Sequence, residues 1–314
     1  MRILFCGDTF PMARAMLEPR LPSDSLVVCR QDAIRASLAG VDVLVPLMSP
    51  IDRSIIGAGG FRLIQQFGTG LEGVDLDAAR ARGIWVANAA ASAGANAESV
   101  AEHALLLMLA VLRRLPAAQA NVRTGVLGAP LGLALTGRTV CIVGLGAVGR
   151  ALAARLASFG VRLIGVTRRP DAARTAAAGL DACYGFADRM TAFAAADVLA
   201  LCLPLTNDTR GMIDAAAFAA LPDDACVVNV ARGALVDYAA AFEALSSGRL
   251  RGAGLDVFWQ EPIAPADPLL ALPNVIATAH VAGVTDRSYA GIADAVVDNI
   301  ERLRRGEPPA HRAA

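Results

Sequence analysis

A chain of 314 residues leaves room for two domains of ordinary size, and a hydrophobic content of 55% requires large buried cores. The 29 acidic and 29 basic side chains cancel, which excludes a global attraction to nucleic acid or to an anionic membrane and makes any anion site local. Every one of the 29 cations is arginine, so mechanisms that need a lysine, such as a Schiff base or a P-loop phosphate clamp, are excluded as well.

Between Arg2 and Asn88, short apolar runs at Ile3–Cys6, Leu26–Val28, Val41–Leu47, Leu63–Phe67 and Ile84–Ala87 alternate with helix-like or turn-like stretches. This alternation predicts a parallel sheet covered by helices on both faces, closing a first small α/β domain near residue 97. A helix is expected from Glu98 to Leu115, with acid in its first turn, Arg113 and Arg114 in its last, and Pro116 as its stop. A second, larger sheet follows, with buried strands at Thr139–Val143, Arg162–Val166, Val198–Leu203, Ala225–Val230, Gly252–Phe258 and Asn274–Thr278. The last helix, Asp286 to Arg305, is apolar at Ile292, Val296, Ile300 and Leu303 and is assigned back to the first domain, ahead of a polar tail from Gly306 to Ala314. The expected domains are thus 1–97 plus 286–314, and 98–285, a layout whose cleft suits a small-molecule site.

Gly144-Leu145-Gly146-Ala147-Val148-Gly149 directly follows the apolar run Val140–Val143 and opens a helical stretch, Arg150–Phe159. In that strand–turn–helix context one glycine makes the turn, one lets backbone approach a pyrophosphate and one lets helix pack on strand, so a dinucleotide is the expected ligand. Without a ligand, the same residues form a glycine-rich turn. At the end of the next strand, where NAD-using enzymes carry an acid for the ribose 2′-hydroxyl, the sequence reads Thr167-Arg168-Arg169-Pro170. A hydroxyl and two guanidinium forks suit a 2′-phosphate, so NADPH is favoured. The alternative is a solvated turn in a protein that accepts NAD too.

Ligands of open parallel sheets bind outside the carboxyl ends of the strands. Arg232, Glu261 and His280 each follow an expected strand of the second sheet. An arginine fork can hold a 2-oxo acid by its carboxylate and polarise the ketone oxygen. An imidazole, which titrates near neutral pH, can give the proton that a nascent alkoxide needs as hydride arrives, and Glu261 could hold its other nitrogen and fix the tautomer. Taken singly, Arg232 could cap a turn before the helix at Asp237, Glu261 could be a solvated loop acid and His280 a satisfied loop histidine. Together at successive strand ends, they point to a reductase of a small 2-oxo acid.

The other residue types add exclusions. Six cysteines without a C-x-x-C, four of them in strongly apolar runs, suit a reducing cytoplasm. Neither the cysteines nor His103, His280 and His311 have zinc-ligand spacing, so no metal is expected. His103 reads as a structural mid-helix residue and His311 as inert. The longest unbroken apolar run, Ala104 to Leu112, is too short to span a bilayer, and neither membrane nor nucleic acid is an expected partner.

Several ordered motifs together resemble the D-isomer-specific 2-hydroxyacid dehydrogenase family over nearly the whole chain: Gly68 to Asp75, Asn96 to His103, the glycine loop, Leu203-Pro204-Leu205-Thr206, Asn229-Val230-Ala231-Arg232-Gly233, Gly254 to Phe258 with Glu261-Pro262, and His280 to Thr285. The resemblance implies two doubly wound α/β domains, a flavodoxin-like substrate domain and a Rossmann dinucleotide-binding domain with a cleft between them. It implies that Arg232 clamps substrate, that His280 is the acid/base and that Glu261 tunes it. By the same resemblance, Thr69, Gly70 and Asn96 bind the substrate, while Gly144, Gly146, Ala147, Val148, Gly149, Thr167, Arg168, Arg169, Leu203, Pro204, Val230, Ala231 and Asp256 line the cofactor, Asp256 holding the nicotinamide carboxamide. A homodimer formed around Glu98–Leu115 is implied too. The sequence departs from the family at Ala279, where a proline is usual. The Thr-Arg-Arg resembles NADP-using glyoxylate and hydroxypyruvate reductases, Glu261 in place of Gln argues against formate dehydrogenases, and the missing lysine argues against phosphite oxidation. With little chain after the last helix, no regulatory domain of the phosphoglycerate dehydrogenase kind is expected. The rivals are a dinucleotide-sensing binding protein of the co-repressor kind, which would need long flexible extensions, and a dehydrogenase of bulkier 2-oxo acids with Leu47, Met48, Leu71 and Trp259 as candidate pocket residues.

Overall fold

The computed structural model describes residues 1–90 and 93–314. The chain divides into two compact units, Met1–Asn96 with Thr285–Ala314, and Ala97–Val284. In the first unit, strands β1 (Arg2–Phe5), β2 (Ser25–Val28), β3 (Val43–Val45), β4 (Leu63–Gln65) and β5 (Trp85–Ala87) form one parallel sheet in the order β2-β1-β3-β4-β5. That is the flavodoxin-like order. The strands read as continuous apolar runs because both faces are covered: Ile3, Leu4, Val43, Leu44, Leu63 and Ile64 have no exposed surface.

The second unit holds β6 (Thr139–Val143), β7 (Arg162–Thr167), β8 (Ala182–Gly185), β9 (Val198–Leu201), β10 (Cys226–Asn229), β11 (Gly252–Leu255) and β12 (Val275–Ala277), all parallel, in the order β12-β11-β10-β9-β6-β7-β8. Counted from β6, this is the Rossmann order with one further strand at the far edge, and the order reverses between β6 and β9. The sequence reading missed β8. Its four residues, Ala-Cys-Tyr-Gly, are only half-buried at the sheet edge, so no apolar run marks them.

Short polar side chains set many of the helix starts. Asp52, Asp75, Asp171, Asp214 and Asp237 each accept a bond from a backbone N–H three residues on. The helix expected from Glu98 to Leu115 runs Asn96–Leu112 instead, and Pro116 lies in the first turn of a second helix, Leu115–Thr124. Arg114, in the left-handed region at φ 52°, makes the break; Pro116 is tolerated because a first-turn residue has no helical N–H bond to lose. By length and hydropathy the stretch Ala93–Leu112 could cross a membrane, yet half of it is buried. Ala101, Ala104, Leu107 and Met108 pack into the core with Val140, Ile142 and Val228.

The helix Asp286–Arg305 belongs to the first unit and has the bounds expected from its pattern, Thr285 capping its start and Gly306, at φ 72°, ending it. Burial of Ile292, Val296, Ile300 and Leu303, at about 2 kcal/mol each, outweighs the exposed Arg302–Asp298 pair, worth about 0.5 kcal/mol. Gly94 and Gly291 let backbone cross here, since a Cβ on Gly94 would lie 2.1 Å from the Arg287 carbonyl oxygen. The polar tail runs antiparallel beside β5, with the Ala313 N–H donating to the Val86 carbonyl and the Val86 N–H to that of Ala314.

Candidate active site

In the second unit, β6 runs into Gly144, whose φ of 99° and close contact with Cys202 and Leu203 exclude a side chain: a Cβ would lie 2.7 Å from the Cys202 carbonyl oxygen. At Gly149 a Cβ would lie 1.9 Å from the Gly144 carbonyl oxygen, so this glycine permits the helix Ala147–Leu156 to start against the strand. Around Gly146 a Cβ would meet nothing within 4 Å, which leaves the helix entrance open. No side chain caps that helix, so its first-turn N–H groups remain for an anion. The loop thus fits a dinucleotide pyrophosphate, with Ala147 and Val148 in that first turn and Leu203 and Pro204 beyond the end of β9, the neighbouring strand.

At the end of β7, Thr167 is half-buried and Arg168 and Arg169 are exposed. The sequence places no carboxylate there, but the structure does: Arg168 donates to Asp208, from the loop after β9, at 3.1 Å. Both partners are more than half exposed, so the pair is weak and open to exchange. Arg169 makes no ion pair among the described residues.

Arg232 follows β10. Asn229, buried at the end of that strand, shapes the turn: its Nδ2 donates to the Arg232 carbonyl at 2.9 Å and its Oδ1 accepts from the Ala231 N–H at 3.0 Å. Arg232 itself makes no side-chain cap; Asp237 caps the helix Tyr238–Ser246. The Arg232 guanidinium donates to the Ala231 carbonyl at 2.6 Å, and Val230 and Ala231 are buried. Glu261 accepts the Phe258 N–H on Oε1 at 2.9 Å, and its Oε2 lies 2.6 Å from His280 Nδ1. Burial pushes the Glu261 carboxyl up, but the bond to His280, the His280 charge, the Phe258 N–H and the Arg232 charge outweigh it and hold the group below the usual carboxylate range. An ionised Glu261 can only accept, so Nδ1 of His280 carries the proton of that bond.

His280 sits at φ 53°, a region that side chains rarely adopt, and one aspartate secures the segment around it. Asp256, at the end of β11, accepts the His280 N–H on its backbone carbonyl at 2.8 Å. On its carboxylate it accepts Thr278 Oγ1 at 2.6 Å, the Val281 N–H at 2.9 Å and the Ala282 N–H at 2.8 Å. Asp256 has no exposed surface and both its oxygens are occupied. In this arrangement it anchors the loop, Oδ1 accepting two of these bonds and Oδ2 one. His103, read from sequence as structural, reaches the same group: its Nε2 is 2.9 Å from Thr278 Oγ1 and 3.5 Å from Asp256 Oδ1. No local pattern signals a contact across 175 residues.

The first unit carries the other glycine loop. Gln66, buried, donates from Nε2 to the Leu47 and Gly70 carbonyls, both at 2.8 Å, and Asn88 donates to the Thr69 carbonyl at 2.7 Å. Among the described residues the N–H groups of Thr69 and Gly70 have no partner, so they are the polar groups this loop can offer an anion. Asn96 accepts from Ser288 Oγ at 2.9 Å, which ties it to the last helix. Of the candidate pocket residues, Leu47 is buried at φ 55°, Leu71 packs on the core and Met48 is exposed. In the second unit Trp259 donates its ring N–H to the Val236 carbonyl at 2.6 Å and meets Tyr238 edge-on. The cysteines are all free, and burial pushes Cys141, Cys202 and Cys226 up to about 12 and Cys6 higher still, leaving these thiols un-ionised.

Residues 105–282 match the family model described as D-isomer specific 2-hydroxyacid dehydrogenase, NAD binding domain. The chain is 36% identical over 278 residues to the glyoxylate reductase of Korarchaeum cryptofilum, covering 85% of this chain and 81% of that protein. It is 33% identical over 282 residues to the D-3-phosphoglycerate dehydrogenase of Archaeoglobus fulgidus, covering 89% of this chain, but it spans only 52% of that relative's length. Among solved structures, it is similar to an NADPH-dependent glyoxylate/hydroxypyruvate reductase from Sinorhizobium meliloti in complex with NADP and malonate: TM-score 0.84, 32% identity, covering 100% of this chain and 96% of the other. The chain belongs to the D-isomer specific 2-hydroxyacid dehydrogenase family. Its second unit is of the nicotinamide-dinucleotide-binding kind.

Proposed function

We propose that this protein reduces a small 2-oxo acid, glyoxylate or hydroxypyruvate in the first instance, to the D-2-hydroxy acid, with NADPH favoured over NADH. The observation that carries the reading is the 2.6 Å contact between His280 Nδ1 and Glu261, in a unit that also holds Arg232 and a glycine loop open to a pyrophosphate. The bound dinucleotide supplies the hydride. His280, its Nδ1 proton committed to Glu261, protonates the ketone oxygen from Nε2, and Arg232 holds the substrate carboxylate and polarises the ketone. Thr69 and Gly70 of the first unit offer N–H groups to the same kind of anion, and Asn96 is the third substrate contact that the family resemblance implies. Thr167, Arg168 and Arg169 favour the 2′-phosphate, which would replace Asp208 as the partner of Arg168. We further propose a cytoplasmic homodimer, consistent with apolar side chains exposed along one stretch, Leu106, Leu115, Val122, Leu127 and Leu131.

The test is oxidation of NADPH and of NADH against a panel of 2-oxo acids of increasing bulk, with His280→Ala beside the wild type. The expected result is turnover of the smallest acids, higher kcat/KM with NADPH, and a kcat lowered by about two to four orders of magnitude in the variant with dinucleotide affinity retained. Dinucleotide binding without turnover of any acid would favour a sensor, and a preference for NADH or an unchanged kcat in the variant would remove the cofactor or the acid/base assignment.

A further inference from the structure

The histidine that the proposed chemistry leaves unused is His103, on the helix Asn96–Leu112. Its side chain is nearly buried, 14% exposed, on a helix whose Ala101, Ala104, Leu107 and Met108 are locked in the sheet core. The Thr278 hydroxyl has one proton, and it is given to Asp256 at 2.6 Å. The 2.9 Å contact between Thr278 Oγ1 and His103 Nε2 therefore requires the proton to be on Nε2, with the imidazole donating. A directed chain results: His103 Nε2–H to Thr278 Oγ1–H to Asp256, whose carboxylate also accepts the N–H groups of Val281 and Ala282. The residue enclosed by these bonds is His280, in its left-handed conformation.

We propose that His103 is a positioning residue for proton transfer: acting through Thr278 and Asp256, it holds the segment 278–282 in the geometry that presents His280 to Glu261 and to the reacting ketone. This rests on the reading of His280 as the acid/base. Loss of the Nε2 donor leaves Thr278 Oγ1 without one of its two partners, which weakens its bond to Asp256 and removes a restraint two residues before the strained His280. The effect should fall mainly on kcat, because the bonds that are cut lie around His280 and away from the glycine loop that fits the pyrophosphate.

The experiment compares His103→Leu, His103→Gln, Thr278→Val, Thr278→Ser and the Leu/Val double variant in the full chain. Steady-state kinetics with glyoxylate and NADPH are read beside NADPH titration and hydrogen exchange of the Val281 and Ala282 amides. His103→Leu and Thr278→Val are each expected to lower kcat about 10-fold, the scale of losses on removing a supporting hydrogen-bond partner, with KM and NADPH affinity within about twofold. The double variant should be no worse than the poorer single one, since both cut one chain. His103→Gln and Thr278→Ser, which keep a donor in place, should recover most of the loss, and exchange at Val281 and Ala282 should be faster only in the variants that cut the chain. Wild-type kcat and exchange in His103→Leu, or losses that multiply in the double variant, would overturn the proposal. Should His103→Leu not fold, the Thr278 pair and His103→Gln decide by the same readouts. Should the wild type reduce no 2-oxo acid, the proposed function fails on its own, and hydrogen exchange still settles whether His103 holds the segment.

Discussion

Two glycine loops leave the carboxyl ends of parallel strands in this protein, and they are built on opposite principles. The loop after β4 is held by side chains that reach in: Gln66 and Asn88 take up the Gly70 and Thr69 carbonyls, while the N–H groups of these two residues have no partner among the described residues. The loop after β6 is held by side chains that are missing, since any Cβ on Gly144 or Gly149 would collide with backbone. Both leave backbone donors available, but one is specified by added hydrogen bonds and the other by excluded volume. A bonded loop should fail by degrees, because each bond contributes a separate small amount. A sterically defined loop should fail abruptly, because backbone cannot give way without moving a helix.

The largest expected effect is at Gly149. Gly149→Ala places a Cβ 1.9 Å from the Gly144 carbonyl oxygen, so the helix must shift. A loss of about 3 kcal/mol in stability, the upper range for overpacking, is expected in thermal unfolding, together with loss of dinucleotide binding in a fluorescence titration. Gly146→Ala is the matched control, expected to unfold within about 1 kcal/mol of wild type, the usual cost of a tolerated change, because its Cβ meets nothing. Equal destabilisation by the two would break the contrast.

Gln66→Leu tests the bonded loop. It strands the Leu47 and Gly70 carbonyls at a cost of about 2 kcal/mol and should raise KM for the 2-oxo acid while dinucleotide affinity holds. A smaller effect separates the units by pH. Asp24 is buried up against its neighbours, which raises its carboxyl, but the bonds and charges of Arg304 and the chain amine outweigh this and hold it below the usual range. A carboxyl lowered by folding contributes stability that is complete above its unfolded pKa, about 3.9, and is lost as pH falls through the folded value. Urea unfolding followed from pH 5 downward should therefore show wild type losing stability more steeply below about pH 4 than Asp24→Asn does. Parallel curves would mean that the pair adds nothing to the first unit.

The sequence made β6 and its glycines legible because four apolar residues, Val140–Val143, run straight into glycines whose spacing has a steric meaning. The helix Asp286–Arg305 was legible for a similar reason, its apolar stripe and both end signals agreeing with one another. The features that stayed hidden depend on contacts that no local window contains. Asp208 meets Arg168 from 40 residues away and His103 meets Thr278 from 175, while the half-buried edge strand β8 has no stripe to show. Pro116 was misread because the same residue that stops one helix opens another, and only the left-handed Arg114 before it tells the two apart. Arg232, Glu261 and His280 could be chosen as strand-end residues and the Glu261–His280 contact expected from them, but its 2.6 Å length and the Phe258 N–H that helps to keep Glu261 ionised came only from the packed structure.

The first unit is made of two pieces of chain, Met1–Asn96 and Thr285–Ala314, with the whole second unit between them. Tyr289, Ile292, Val296 and Ile300 fill the core against the early strands, and Asn299 donates to the buried Gln65 at 2.8 Å. During synthesis the ribosome must therefore complete the dinucleotide-binding half before the N-terminal half can seal. At the usual rates of translation that interval is about 10 to 40 s, during which the nascent β1–β5 segment is exposed to chaperones and proteases.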